Sequence, residues 1–386
     1  MRKKICFCTT IAGTIKSFLL DLSNYLVEHE NYDVTFICDP SDSLLQYTNK
    51  HIHYIPVKMH RGISFDGCAA IWNLYKIFKR EKFDIVQYAT PNASLYASIA
   101  ARAAGIKVRL YCQWGVRYID FKGCARFLYR KLVKIMCNNA TAIEVESFSI
   151  LSFSLKDGLY KADKAQVIWN GSACGVNLDN YLLDMRAQWR KEIREKWDIP
   201  SDAVVFGWCG RITRDKGHNE LFASFREILK DNKNARLLMV GKYDNVETID
   251  KNLFAWAQSC PEVIFTGPVP PQEVSHMYSA MDVFCSLSYR EGFGVVVIEA
   301  AAMKLPGIVT DVPGQLDTHE NMINAVSVHA RDVESVVKAM QFYIDNPDKI
   351  QSMGDEARRQ VEMKYEQREL FRRLATHRNE LIAKSK

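Results

Sequence analysis

Apolar and polar positions alternate along the 386-residue chain in two rhythms. Short β-branched or aromatic runs bounded by turn residues are separated by helix-length stretches whose apolar positions recur three and four apart, the pattern of a parallel sheet wound with helices. In the first half the runs predict strands at 4–9, 33–38, 51–57, 84–88, 108–113, 142–146 and 166–169, with helical stretches at 17–28, 68–79 and 93–103 between them. Alternation restarts later, with strands predicted at 204–209, 236–240, 263–266, 283–287, 307–310 and 325–328. Between the two sets lie a loop of small residues at 170–177 and a charged helical stretch at 185–197 closed by Ile199-Pro200-Ser201, which reads as a linker. The last segment, 365–383, is a charged amphipathic helix with Leu370, Phe371, Leu374, Leu381 and Ile382 available for packing and no strand after it. The expected organisation is α/β: a Rossmann-like domain at 1–170, a linker at 171–200, a second Rossmann-like domain at 201–364, and a terminal helix at 365–386 docking back on the first domain. Two doubly wound domains joined by a hinge are expected to face each other across a cleft at the carboxyl ends of their strands, where such folds bind ligands.

Composition narrows the class. Hydrophobic residues at 48% and charged residues at 25% exclude disorder, and the length allows two buried cores. No apolar run approaches the roughly 18 to 20 residues of a membrane span, and Met1-Arg2-Lys3-Lys4 leads directly into a strand, so a cytoplasmic chain is expected. The eleven cysteines are an odd count, lie mostly in apolar runs and form no C-x-x-C pair, which fits buried thiols in a reducing compartment better than a zinc site. No metal ligand is expected.

Charge is unevenly spread. Residues 1–170 carry 23 Lys and Arg against 14 Asp and Glu, whereas the remainder carries 28 against 31. The first half therefore favours an anionic partner. No recognition helix, zinc finger or RNA-binding signature accompanies the charge, so anionic lipid or a phosphorylated small molecule fits better than nucleic acid. A candidate surface is the stretch 117–134, where Lys122, Arg126, Arg130 and Lys134 recur every four residues and Phe121, Cys124, Leu128, Leu132 and Ile135 form an apolar side. A basic face of this kind suits an anionic membrane or a polyprenyl diphosphate, and a solvated face would have the same composition.

Two motifs carry chemistry. Gly210-Arg211-Ile212-Thr213-Arg214-Asp215-Lys216-Gly217 follows a predicted strand and precedes a helix. Backbone donors, a helix N-terminus and fixed cations together suit a diphosphate, although a solvated basic turn would use similar residues. The loop is neither a Walker loop nor a G-x-G-x-x-G dinucleotide turn. The second motif is Glu291-Gly292-Phe293-Gly294-Val295-Val296-Val297-Ile298-Glu299. It places Glu291 at a strand end and lets backbone approach a ligand at Gly292 and Gly294. Glu299 then falls in the first turns of a helix, as an acceptor for ribose hydroxyls or as a buried residue paired with a cation.

The G-R-x4-K-G loop followed about 75 residues later by E-G-F-G-x4-E strongly resembles the retaining nucleotide-sugar glycosyltransferases of family 4, whose fold is GT-B. The resemblance extends through Thr10-Ile11-Ala12-Gly13-Thr14, Arg61-Gly62-Ile63, Thr90-Pro91-Asn92-Ala93, the loop 170–176 and Asp311-Val312-Pro313-Gly314, and is greatest to bacterial enzymes extending capsule, exopolysaccharide or lipid-linked oligosaccharides. It implies that Arg211 and Lys216 hold the donor diphosphate and that Glu299 holds the ribose. Glu291, Gly292 and the backbone of Phe293 and Gly294 would hold sugar hydroxyls and phosphate. Gly13 would let the diphosphate approach, with Thr14 a neighbouring donor. It implies a nucleotide-sugar donor, UDP-linked in preference, a glycan or polyprenyl-diphosphate acceptor, and no separate cofactor.

One departure stands out. Where many family members have a His-Gly pair, this chain reads Cys112-Gln113-Trp114-Gly115-Val116-Arg117, so Trp114 takes the histidine position and Gln113 or Arg117 is left to donate hydrogen bonds. Arg61, Trp114 and Arg117 are the candidates for the acceptor or sugar side, while His218 reads as structural. No D-x-D pair occurs, so Arg211, Lys216 and the helix at Val295 are expected to do the work of a metal. The competing readings are a nucleotide-sugar 2-epimerase of the same fold and a catalytically degenerate binding subunit.

Overall fold

The computed structural model describes residues 2–59 and 66–385, with only the backbone of Asp66. It divides into two compact units, Met1–Cys174 together with Arg368–Lys386, and Gly175–Gln367. In the first unit the elements are β1 (Lys3–Cys8), α1 (Ala12–Phe18), α2 (Leu20–His29), β2 (Tyr32–Cys38), β3 (Ile52–Pro56), α3 (Asp66–Glu81), β4 (Ile85–Tyr88), α4 (Pro91–Ala103), β5 (Val108–Gln113), α5 (Gly123–Asn139), β6 (Ala142–Val145), α6 (Phe148–Lys156) and β7 (Ala165–Val167). In the second they are α7 (Arg186–Lys196), β8 (Val204–Cys209), α8 (His218–Asp231), β9 (Ala235–Val240), α9 (Lys251–Ser259), β10 (Val263–Gly267), α10 (Val274–Ala280), β11 (Val283–Ser286), α11 (Val295–Ala302), β12 (Gly307–Thr310), β13 (Ala325–Val328), α12 (Val333–Asp345) and α13 (Pro347–Lys364). The last helix, α14 (Gln367–Ser385), returns to the first unit.

Among the described residues the first sheet has seven strands in the order β3-β2-β1-β4-β5-β6-β7, and the second has six in the order β10-β9-β8-β11-β12-β13. Every pairing is parallel. Helices on both faces explain why the strands are continuous apolar runs rather than alternating ones. Ile5 and Phe7 of β1 join one core with Leu22 of α2 and Leu374 of α14, while Cys6 and Cys8 join the other with Leu74 of α3 and Ala97 of α4. The expected α/β architecture of two doubly wound domains is therefore the observed one.

The terminal helix docks through more than its apolar stripe. Leu370, Phe371, Leu374 and Ile382 enter the core, but so does Arg378, which is 1% exposed. Its guanidinium donates to Gln87 Oε1 at 2.7 and 3.1 Å and to the Glu144 carboxylate at 3.2 and 3.3 Å. His377 Nδ1 lies 3.1 Å from the same carboxylate. Burial alone would push the Glu144 carboxyl up, yet Arg378 and His377 hold it down at about 2.

The expected linker ends early. From Gly175 onward the chain belongs to the second unit, and the charged stretch that reads as part of a linker is α7, whose arginines bond to that unit. Arg190 and Arg194 both donate to Asp282, at 2.6 and 2.8 Å, and Trp189 stacks on His276 of α10 with centroids 4.0 Å apart. A charged composition here marks buried ion pairing, not a tether.

Candidate functional site

In the second sheet the strand order reverses between β8 and β11, the kind of switch point at which doubly wound sheets bind ligands. Both sequence motifs occupy those two loops. The cation loop leaves β8, passes Arg211 and enters α8 through Gly217, which has φ +77°. A Cβ on Gly217 would stand 2.1 Å from the carbonyl oxygen of Leu287, so the absence of a side chain lets the β8 loop lie against the end of β11. The Tyr289 amide donates to the Asp215 carbonyl at 2.9 Å, and Arg290 donates to the Asp215 carboxylate at 2.6 Å. His218 pins the loop from inside, its Nδ1 2.6 Å from the Thr213 carbonyl; burial lowers the ring's pKa to about 4, which keeps it neutral.

The two motifs meet at one contact. The Lys216 ammonium donates to Glu291 Oε1, which also accepts from Ser288 Oγ at 2.8 Å. Lys216 and Glu291 are about three-quarters and four-fifths buried respectively. Gly314, φ +94°, packs from the next loop so closely that a Cβ there would lie 2.5 Å from the Glu291 carbonyl oxygen. Beneath them Gln315 bonds to Thr310 and Ser286, and Thr310 donates to the Ser288 carbonyl at 2.7 Å. A buried polar network of this kind holds the Glu291 loop in one conformation. Phe293 is 2% exposed, with its ring edge-on to Tyr365 at 5.4 Å. Its side chain is an anchor, and only its backbone is left to meet a ligand. Gly294 caps α11 with φ +90°.

Glu299 lies in the second turn of α11 and accepts from the Tyr278 hydroxyl at 3.2 Å. Burial pushes its carboxyl up to about 7, against the pull of Tyr278. Burial together with the Glu299 carboxylate also pushes the thiol of Cys209, the last residue of β8, up to about 12. Arg211 is the more exposed cation, paired with Asp244 in the loop after β9. Arg211, Lys216, Glu291, Gly292, Gly294 and Glu299 thus gather around one switch point. Asp244, Tyr278 and Gln315 were not singled out from sequence, because each lies on a loop or helix that only the fold brings alongside.

The first sheet reverses between β1 and β4. There Thr10 and Thr90 join the two loops, the Thr10 amide donating to Thr90 Oγ1 at 2.9 Å and the hydroxyls lying 2.8 Å apart. Thr90 adopts φ +70°, a strained conformation for a β-branched residue, just before Pro91 opens α4. Gly13 and Thr14 begin α1, and a Cβ on Gly13 would meet only Ile11 Cδ1, at 3.9 Å. Packing does not require glycine there. Trp114 is half-buried against Phe18 of α1, with centroids 5.4 Å apart. Gln113 is wholly buried, accepting from Tyr160 at 2.6 Å and Ser154 at 3.3 Å, so it is not a ligand donor at the surface. Arg117 lies over the Tyr129 ring at 5.4 Å, on the side of α5. Arg61 lies outside the described residues.

The basic stripe needs correcting. Arg126 and Arg130 both bond to the Asp157 carboxylate, at 2.7 and 3.0 Å, and Lys134 donates to the Gly158 carbonyl at 3.0 Å. These three cations cap the carboxyl end of α6, where the helix dipole favours positive charge. Of the four, Lys122, just before α5, is exposed and the other three are half-buried. Cys124, Phe127, Leu128, Lys131 and Ile135 point outward instead. Among the described residues no helix is long and apolar enough to cross a membrane.

A solved structure of Anabaena Alr3699/HepE in complex with UDP superposes with a TM-score of 0.78 at 14% identity, covering 97% of this chain and 99% of that one. The two Rossmann-like units are those of a GT-B glycosyltransferase. The family described as Glycosyl transferase 4-like matches residues 4–147, and Glycosyl transferases group 1 matches residues 190–360. The chain belongs to the family 4 glycosyltransferases. Among curated relatives, the capsular polysaccharide biosynthesis glycosyltransferase CapM of Staphylococcus aureus is 29% identical over 357 residues, 92% of each chain. The UDP-Gal:alpha-D-GlcNAc-diphosphoundecaprenol alpha-1,3-galactosyltransferase of Escherichia coli is 22% identical over 330 residues, 83% of this chain and 82% of the relative.

Proposed function

We propose that this glycosyltransferase moves a hexose from a UDP-sugar to a lipid-linked glycan, a polyprenyl-diphosphate oligosaccharide, during bacterial surface polysaccharide synthesis. It acts with retention of configuration, without a metal ion, at the cytoplasmic face of an anionic membrane. The observation that carries the reading is the meeting of Lys216 with Glu291 at the β8/β11 switch point, beside Arg211, the α11 N-terminus and Glu299. The UDP bound in the Anabaena neighbour and the lipid-linked acceptor in the name of the E. coli relative support the same choice of donor and acceptor.

Each group has a task. Glu299 accepts hydrogen bonds from the ribose hydroxyls. Arg211 exchanges its exposed contact with Asp244 for the diphosphate, and Lys216 turns from Glu291 to the same anion. Glu291, freed of Lys216, accepts from sugar hydroxyls, while the amides of Gly292 to Gly294 face the distal phosphate. As the bond from the anomeric carbon to the diphosphate oxygen breaks, negative charge grows on that phosphate, and preorganised cations and amides stabilise the developing charge more than the ground state. The acceptor hydroxyl then attacks from the face the diphosphate leaves, and its proton passes to the departing phosphate oxygen. Gly13 admits the diphosphate, Thr14 is a neighbouring donor, and Trp114 with Arg117 flanks the acceptor side.

The test is a donor screen, scoring thermal stabilisation and turnover with UDP- and GDP-sugars, with and without a polyprenyl-diphosphate acceptor. Transfer from a UDP-sugar that needs the acceptor supports the reading. Conversion of the nucleotide-sugar without acceptor points to an epimerase, and binding without conversion to a degenerate subunit.

A further inference from the structure

Among the described residues the outward side of α5 is left uncovered. Phe127 is 63% exposed, Leu128 49% and Ile135 42%, and with exposed Cys124 and Lys131 they form one stripe at three- and four-residue spacing over more than two turns. On α3, which with α5 flanks α4 in the helical layer of the same core, Trp72 is 56% exposed and stacks on Tyr75 with centroids 5.4 Å apart. A lysine reaches over each exposed aromatic. Lys131 Nζ lies 5.3 Å from the Phe127 centroid, and Lys76 Nζ lies 5.2 Å from the Trp72 centroid. Single exposed apolar residues need no explanation, but a stripe of them ringed by cations does.

We propose that this face, Phe127, Leu128 and Ile135 of α5 with Trp72 of α3, is where the first unit inserts into an anionic lipid bilayer, with Lys76, Lys122 and Lys131 reaching to the headgroups. The inference rests on the membrane placement proposed above and changes how it is achieved: apolar side chains enter the interface, whereas Arg126, Arg130 and Lys134 are engaged by the carboxyl end of α6. An interfacial helix buries its apolar face about 5–10 Å deep and keeps lysines at headgroup level, their aliphatic stems lying along the apolar surface. Charge favours lipid over a second copy of the chain. α5 contains no Asp or Glu, so a two-fold contact through this face would set its lysines against the same lysines, whereas an anionic surface complements them.

The experiment is co-sedimentation with vesicles of phosphatidylglycerol and phosphatidylcholine in equal parts, at low salt and at about 0.5 M NaCl, where the Debye length shrinks to a few ångströms. Wild type is expected to bind at low salt and to keep part of that binding at high salt. The variant Phe127→Ser/Leu128→Ser/Ile135→Ser is expected to melt like wild type, to partition at least tenfold less at both salts, and to keep its turnover on a water-soluble acceptor. Lys76→Gln/Lys122→Gln/Lys131→Gln should lose mainly the low-salt component. Wild-type partition in the triple serine variant, no binding by wild type, or a concentration-dependent dimer that the serines abolish would each overturn the proposal. Transfer to a soluble acceptor without vesicle binding defeats this inference alone, and vesicle binding without transfer defeats the catalytic reading alone.

Discussion

Tyr278 donates its hydroxyl hydrogen to the Glu299 carboxylate across 3.2 Å, and it is the one side chain seen to offset the burial that raises this acid to about 7. An ionised carboxylate accepts from two ribose hydroxyls more strongly than the neutral acid. With its pKa near 7, Glu299 is mostly protonated below that pH, and on the proposed ribose role kcat/KM for the donor should rise with pH through an inflection near 7, since this parameter reports free-enzyme ionisations. Glu299→Gln should lower kcat/KM and flatten that inflection. A profile for the variant that keeps the wild-type inflection would assign it to another group.

Gly13 and Gly314 should respond oppositely to alanine. At Gly314 a Cβ meets the Glu291 carbonyl at 2.5 Å with φ +94°, so Gly314→Ala should lower both the melting temperature and activity. At Gly13 a Cβ meets only Ile11 Cδ1 at 3.9 Å, inside a helix that alanine favours. Gly13→Ala should leave the melting temperature unchanged or slightly raised while reducing donor turnover at least tenfold. If Gly13→Ala turns over like wild type, its glycine is not there for the diphosphate.

Much of this arrangement was legible in the sequence, and the failures share a cause. Parallel strands buried on both faces are continuous apolar runs, so β8 and β11, and the motifs leaving their ends, could be placed from residues alone. Periodicity gives the faces of a helix but not which one is inside. In α5 apolar residues occur all round, and the fold turns Tyr129, Leu132, Val133, Met136 and Cys137 inward with Arg126, Arg130 and Lys134 beside Asp157, a partner more than twenty residues away. The linker reading of 171–200 failed for a related reason, since Asp282, the partner of Arg190 and Arg194, lies about 90 residues off. Asp244 and Gln315 gave no local signal, because each acts by touching a motif from a neighbouring loop.

Acid should release the terminal helix. Glu144 falls from an ordinary 4.5 to about 2 on folding, so its contribution to stability is complete above pH 4.5 and is lost as pH falls toward 2. Glu144→Gln removes the charge opposite buried Arg378 and should cost about 3–5 kcal/mol in urea unfolding at pH 7. A loss under about 1 kcal/mol would mean that Arg378 is satisfied by Gln87 and the Leu374 carbonyl without it.

Chelation separates this reading from a metal-bridged diphosphate. Turnover after exhaustive EDTA treatment should stay near its starting value. Loss that Mg²⁺ or Mn²⁺ restores would move the leaving-group stabilisation from the two cations to a metal.

The clamp itself is best tested by steady-state turnover of Lys216→Ala and Arg211→Ala with a saturating UDP-sugar and acceptor, after melting curves confirm that both variants fold. Each should lose roughly 10²- to 10³-fold in kcat, the size of a lost electrostatic contact to a transition-state anion, with Lys216, the more buried cation, at the larger end. Rates within threefold of wild type for both variants would contradict the assignment of the β8 loop to the leaving diphosphate.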